Sequence, residues 1–127
     1  MIRKHILYLI LCSAVLLATS CGQQYKAKRI AEDFMKSNLK DATRLKVTKL
    51  TSLDSTKVLS DSVISDLRQR AENTSHYKRG ITYSPGGMTK KLLLSRVSYE
   101  LNGKRHQDTY YFDDSMTRVV AFKINEE

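Results

Sequence analysis

The residues of this chain able to do chemistry lie mostly in its second half. His106 and Asp108 are two apart on a predicted strand, so their side chains share a face. With His76 they could bind a metal through neutral imidazoles and a carboxylate. The spacing matches no standard ligand pattern, and His106 falls close to a hairpin tip, so no metal is expected. Asp108, Asp113 and Asp114 could share acid and base roles, but Asp113-Asp114-Ser115 is also ordinary turn chemistry. Tyr77, Tyr83, Tyr99, Tyr110 and Tyr111 are interleaved with Arg and Lys, a combination that recognises glycans or acidic partners by stacking and charge. The competing expectation is that these rings only pack sheet edges. Tyr110 and Tyr111 must point to opposite faces of their strand, so at least one should leave the core. Arg96, Arg105 and Tyr110 are the candidate binding surface. The sequence has no G-x-S-x-G elbow, Walker loop, G-x-G-x-x-G or H-E-x-x-H, and neither catalytic residues nor a cofactor is expected.

The elements that must position these residues follow from periodicity. Tyr25 to Lys40 reads as an amphipathic helix, with Ala27, Ile30, Ala31, Phe34, Met35 and Leu39 on one stripe facing the core. Leu45 to Leu53 favours a strand, and Asp54-Ser55 a turn. Ser60-Asp61-Ser62 offers N-cap chemistry for a second helix, Ser62 to Asn73, with Val63, Ile64, Leu67 and Ala71 apolar and Arg68 and Arg70 complementing its dipole. His76 to Tyr83 is a short predicted strand and Ser84-Pro85-Gly86-Gly87 a loop. Lys91–Leu101 and Lys104–Phe112 flank Asn102-Gly103, the preferred pair for a type I′ hairpin. A two-residue loop places Leu101 opposite Lys104, Tyr99 opposite His106, Leu93 opposite Phe112, and Glu100 opposite Arg105. Arg118 to Ile124 is the last strand, with Val120, Phe122 and Ile124 facing one way. This order predicts an α+β domain, one or two helices on a curled antiparallel sheet of about four strands. It resembles small cystatin-like or NTF2-like modules.

The N-terminus carries a different signal. Arg3 and Lys4 precede the apolar run Ile6 to Ala18, and Leu17-Ala18-Thr19-Ser20 leads into Cys21. This is the anatomy of a secretory signal peptide, and the run is shorter than the roughly 20 residues a membrane span needs. The last five of these residues resemble the lipobox of bacterial lipoproteins, which implies cleavage between Ser20 and Cys21 and acylation of Cys21. Residues 1–20 are then the signal peptide, 21–24 a lipid-anchored tether and 25–127 a single domain, a size that suits one core. The other cysteine, Cys12, leaves with the signal, so no thiol remains for a disulfide or a metal. No Asp follows Cys21 and no acidic cluster follows it. By resemblance to lipoprotein sorting rules, this implies the outer membrane, facing the periplasm.

The net charge is +9; losing Arg3 and Lys4 with the signal lowers it by two, to +7. Export argues against nucleic acid and favours an anionic envelope component or an acidic protein as partner, beside the membrane engaged through Cys21. Phe34-Met35-Lys36, Leu39-Lys40-Asp41, Leu53-Asp54-Ser55, Tyr111-Phe112-Asp113 and Thr117-Arg118-Val119-Val120 resemble a family of small Bacteroidota envelope proteins, with Ala42 standing where that family has Pro. The resemblance implies location and fold but no activity. The expected function is a non-enzymatic binding or accessory module. The alternative is an inhibitor or immunity-type protein using the Ser84–Thr89 and Asp113–Thr117 loops. A hydrolase of envelope glycans, with Asp113 or Asp114 as acid, ranks third. The sequence sets neither ligand nor oligomeric state.

Overall fold

The computed structural model describes residues 22–56, 59–72, 76–83 and 91–125. The signal peptide, the cleavage site at Ser20 and Cys21, and the Ser84–Thr89 loop lie outside them. Residues 22–38 are helical (α1), so Gly22, Gln23 and Gln24 are helix rather than tether. Gln24 explains why: its side-chain amide donates to the Thr51 carbonyl at 2.8 Å, fastening the first turns of α1 to the sheet. Ala27, Ala31 and Met35, spaced by four, are wholly buried, and Ile30 and Phe34 pack beside them. The expected apolar stripe is therefore core, while Lys26, Lys28, Arg29 and Lys36 are exposed.

Leu39 ends α1 by leaving it. It bridges Tyr77 antiparallel, with Lys40 N–H donating to the His76 carbonyl (2.9 Å) and Lys78 N–H to the Asn38 carbonyl (2.7 Å). The strand expected over His76–Tyr83 reduces to this bridge, because only the residues around Tyr77 meet a partner backbone and Gly80 then turns the chain at φ +68°. Tyr77 and Ile81 are buried nonetheless.

The sheet is built on β3 (Leu92–Leu101) and β4 (Lys104–Asp113). Asn102 and Gly103 take φ 55° and 78°, as a type I′ turn requires at both positions. The register is the expected one in every pair named above, Tyr99 with His106 and Glu100 with Arg105 included. β1 (Leu45–Leu50) pairs with the second half of β3. The two-residue β2 (Asp54–Ser55) pairs with its beginning. Asp54-Ser55 is thus a strand and not a turn, because the ten-residue β3 extends past the end of β1 and leaves backbone to satisfy. Between them Thr51 spans the gap: its N–H donates to the Arg96 carbonyl, and its hydroxyl accepts from Arg96 N–H. β5 (Val119–Ile124) closes the other edge against β4. Its pairing shifts between Tyr111 and Phe112, leaving Val120 as a bulge. Val119 therefore joins Phe122 and Ile124 on the core side, and Val120 does not face with them as the alternation implied.

α2 (Asp61–Ala71) starts at Ser60, whose hydroxyl accepts from Val63 N–H, and packs on β5. Only Ala71 of its expected stripe is buried; Val63 is 44% exposed. Arg68 does the docking, donating from Nε to the Val120 carbonyl (2.8 Å) and lying 4.2 Å over the Tyr83 ring. The class is α+β, as expected. The sheet has five strands rather than about four, in the order β1-β3-β4-β5 with β2 beside β1 on the outer edge of β3, and it is open rather than curled. Its core face meets α1 through Phe34, whose ring contacts Tyr110 at 5.8 Å and Phe122 at 5.5 Å. Burying Phe112, Phe122 and Met35 contributes about 2–3 kcal/mol each.

Candidate functional site

Alternation along β3 and β4 sorts the chemistry-bearing residues onto two faces. On the covered face, His106, Asp108, Tyr110 and Phe112 of β4 stand opposite Tyr99, Val97, Ser95 and Leu93 of β3. The bridge at Leu39 brings His76 and Tyr77 over the same region. The result is a buried polar network centred on Asp108, which is 1% exposed. Its Oδ2 accepts from the hydroxyls of Tyr77 (2.8 Å) and Tyr99 (2.5 Å). Tyr110, wholly buried, has its hydroxyl 2.6 Å from that of Tyr77. Because Tyr77 donates to Asp108, Tyr110 must be the donor to Tyr77. By the same logic His76 donates from Nε2 to the Tyr99 oxygen (2.8 Å), which fixes its tautomer. Every donor in the chain points toward one carboxylate oxygen.

The electrostatics follow from burial. Desolvation pushes Asp108 above the ordinary carboxylate value, opposed by the hydroxyls of Tyr99 and Tyr77. Burial also raises Tyr77, Tyr99 and Tyr110, keeping all three phenols neutral. His76 is lowered to about 4, first by burial and then by the charges of His106, Lys104 and Lys40. Its ring stacks on His106 with centroids 4.5 Å apart. His76 and His106 thus meet, but Asp108 is engaged with tyrosines instead. No group of three His, Cys, Asp or Glu is placed to hold a metal among the described residues. A neutral His76 bonded to Tyr99, and a carboxylate bonded to two phenols, stabilise a polar core.

Asp113 is similarly committed. It accepts from Thr117 N–H (2.7 Å), Arg118 N–H (3.0 Å) and the Thr117 hydroxyl. Burial alone would raise its pKa, but these bonds hold it below the ordinary value. It is the staple of the β4–β5 turn, in which Met116 takes φ 53°.

The opposite face of the sheet carries Arg96, Ser98 and Glu100 of β3, Arg105, Gln107, Thr109 and Tyr111 of β4, and Lys123 of β5. Glu100 is 3.9 Å from Arg105. Around Leu94 the face forms a shallow concavity of about 430 Å³ lined by Arg96, Gln107, Thr109, Tyr111, Lys123 and Asn125. Arg96 and Lys123 are exposed, and neither meets a carboxylate among the described residues. Of the candidate surface residues, Arg96 and Arg105 share this open face. Tyr110 does not: it is in the core, because strand alternation sends it inward and its neighbour Tyr111 outward. Tyr111, one of the five tyrosines singled out in the sequence, is the one of its pair that leaves the core. Lys123 is the surface residue that sequence reading missed, its face following from the β5 register.

No family model matches this chain, and no curated protein or solved structure matches it. Among the described residues, no helix is long and apolar enough to cross a membrane.

Proposed function

We propose that this chain is a non-enzymatic binding or accessory module, lipid-anchored at Cys21 to the outer membrane and facing the periplasm, that engages its ligand through the open face of its sheet. The observation that carries the binding assignment is a contrast in saturation. Asp108 and Asp113, the carboxylates best placed for acid or base work, spend their lone pairs on internal donors. Arg96 and Lys123 meet no carboxylate among the described residues and border a concavity. General acid–base chemistry needs a titrating group within reach of a substrate; a recognition surface needs unpaired polar groups that face outward.

The anchoring assignment rests on the leader Arg3–Ala18 and the small residues before Cys21. Gln24, three residues after Cys21 in the sequence, holds the start of α1 against Thr51. Acyl chains bind a bilayer with about 0.8 kcal/mol per buried methylene.

The test is in-cell crosslinking and affinity capture of the whole protein, beside a Cys21→Ala chain. Mass spectrometry of the mature N-terminal peptide is read in parallel. The expected result is a diacylglyceryl mass on Cys21 and a partner or ligand lost in Arg96→Glu/Arg105→Glu without loss of folding. An unmodified Cys21 sinks the anchor; capture indifferent to the double variant sinks the surface. A tight complex of equal stoichiometry with one hydrolase or toxin would replace this reading by the inhibitor one.

A further inference from the structure

We infer that the open-face concavity is a saccharide site selective for sugars bearing a carboxylate or a phosphate. The inference rests on the reading of this face as the binding surface and names the class of ligand it takes. Three features of the lining converge on it. The first is charge. Arg96 and Lys123 project from β3 and β5 on either side of β4, and among the described residues the lining contains no Asp or Glu. Carboxylates on the same face include Asp54, which pairs with Leu94 across the β2–β3 edge, and Glu100, which faces Arg105 and Lys46; neither forms an ion pair with Arg96 or Lys123. An anion seated between the two cations gains charge-assisted hydrogen bonds and displaces no internal ion pair.

The second is an aromatic plane. Tyr111 lines the concavity and is only half-buried. Its ring offers an apolar surface of the kind on which the C–H face of a sugar stacks, with a hydroxyl at its rim. A site built for a bare inorganic anion has no use for such a plane.

The third is neutral hydrogen bonding. Thr109 donates from its hydroxyl to Asn125 Oδ1 at 3.2 Å, which orients the Asn125 amide and leaves its NH₂ as the group to meet a ligand. Gln107, two residues from Thr109 on the same face, reaches Ser98 only at 3.5 Å and keeps most of its capacity. Amides that can both donate and accept suit sugar hydroxyls, which do the same. The volume, about 430 Å³, lies in the range of small-ligand sites.

The decisive experiment is calorimetric titration of the whole chain, as the cell makes it, with four probes. They are a disaccharide ending in glucuronate, the methyl ester of that disaccharide, inorganic phosphate, and a tetraglutamate peptide. The acidic disaccharide is expected to bind saturably. The ester, which keeps the sugar and loses the charge, should bind about tenfold more weakly, as should Arg96→Ala and Lys123→Ala chains toward the acid. Tyr111→Ala should lose binding that Tyr111→Phe keeps. Thermal melts of the variants are run beside the titrations. Equal affinity for acid and ester overturns the charge requirement. Phosphate binding as tightly as the disaccharide overturns the sugar, and tetraglutamate doing so makes this an acidic-protein surface. Absence of saturable disaccharide binding overturns the inference outright. If crosslinking still captures a partner through Arg96 in that last case, the module reading stands and only the ligand class falls.

Discussion

Tyr110 and Tyr111 are neighbours on β4 with identical side chains, and they belong to different molecules in effect. Tyr110 lies among Phe34, Phe112 and Phe122, wholly buried, its hydroxyl handed to Tyr77. Tyr111 stands half-exposed on the opposite face, between Leu94 and Ala121, and lines the concavity with Arg96 and Lys123. The same split runs through the acids and bases. On the covered face the polar groups around Asp108 are consumed by one another, so the ionisable residues there specify the core. On the open face Arg96 and Lys123 meet no carboxylate among the described residues. A polar residue in this protein is informative about function in proportion to how little the fold has used it.

The comparison can be broken most directly by truncating each tyrosine. Tyr110→Ala should cost about 3–5 kcal/mol of stability, and Tyr111→Ala less than about 1 kcal/mol, measured by urea unfolding. Equal costs would mean that the two faces are not distinct. Asp108→Ala should cost about 2–3 kcal/mol, because it strands the hydroxyls of Tyr77 and Tyr99. Asp108→Asn, which keeps a carbonyl acceptor, should cost less.

The histidine pair sharpens the picture through pH. His76 is held at about 4 in the fold, against an ordinary value of 6.5 when unfolded. Between these values the unfolded chain takes up the proton first, so stability should fall as pH drops from about 6.5 to about 4 and level off below. Asp108 works in the opposite sense: its raised pKa favours the fold as pH falls through it. The stability that wild type loses relative to His76→Gln should therefore grow as pH falls across this window, the Asp108 contribution being common to both. A wild-type minus His76→Gln difference that stays constant across this range would show that the ring is not desolvated as placed. Tyr83 supplies a smaller effect. Its hydroxyl is buried without a hydrogen-bond partner among the described residues, and burial lifts its pKa to about 12, against the lowering effect of Arg68. Tyr83→Phe should stabilise by about 1 kcal/mol. Arg96→Ala should shift stability by no more than about 0.5 kcal/mol while weakening binding.

The chain by itself determined the hairpin, the core stripe of α1 and the N-cap of α2. Each depends on residues within a few positions of one another. Asn102-Gly103 can adopt the two positive φ angles, the spacing of Ala27, Ala31 and Met35 sums to one helix face, and Ser60 reaches Val63. Once the turn length was set, every β3–β4 pair followed, and with it the rule that Tyr110 and Tyr111 part company. Which of the two went inward was a tertiary decision. It required α1 to cover one face, and local sequence says nothing about which. The bulge at Val120, the pairing of Asp54-Ser55 with β3 and the reduction of His76–Tyr83 to one bridge are decided the same way, by backbone groups that only a distant strand can satisfy. So is the convergence of Tyr77, Tyr99, Tyr110 and Asp108, drawn from three separate segments to one carboxylate oxygen, since hydrogen bonds of that kind exist only after the chain has packed.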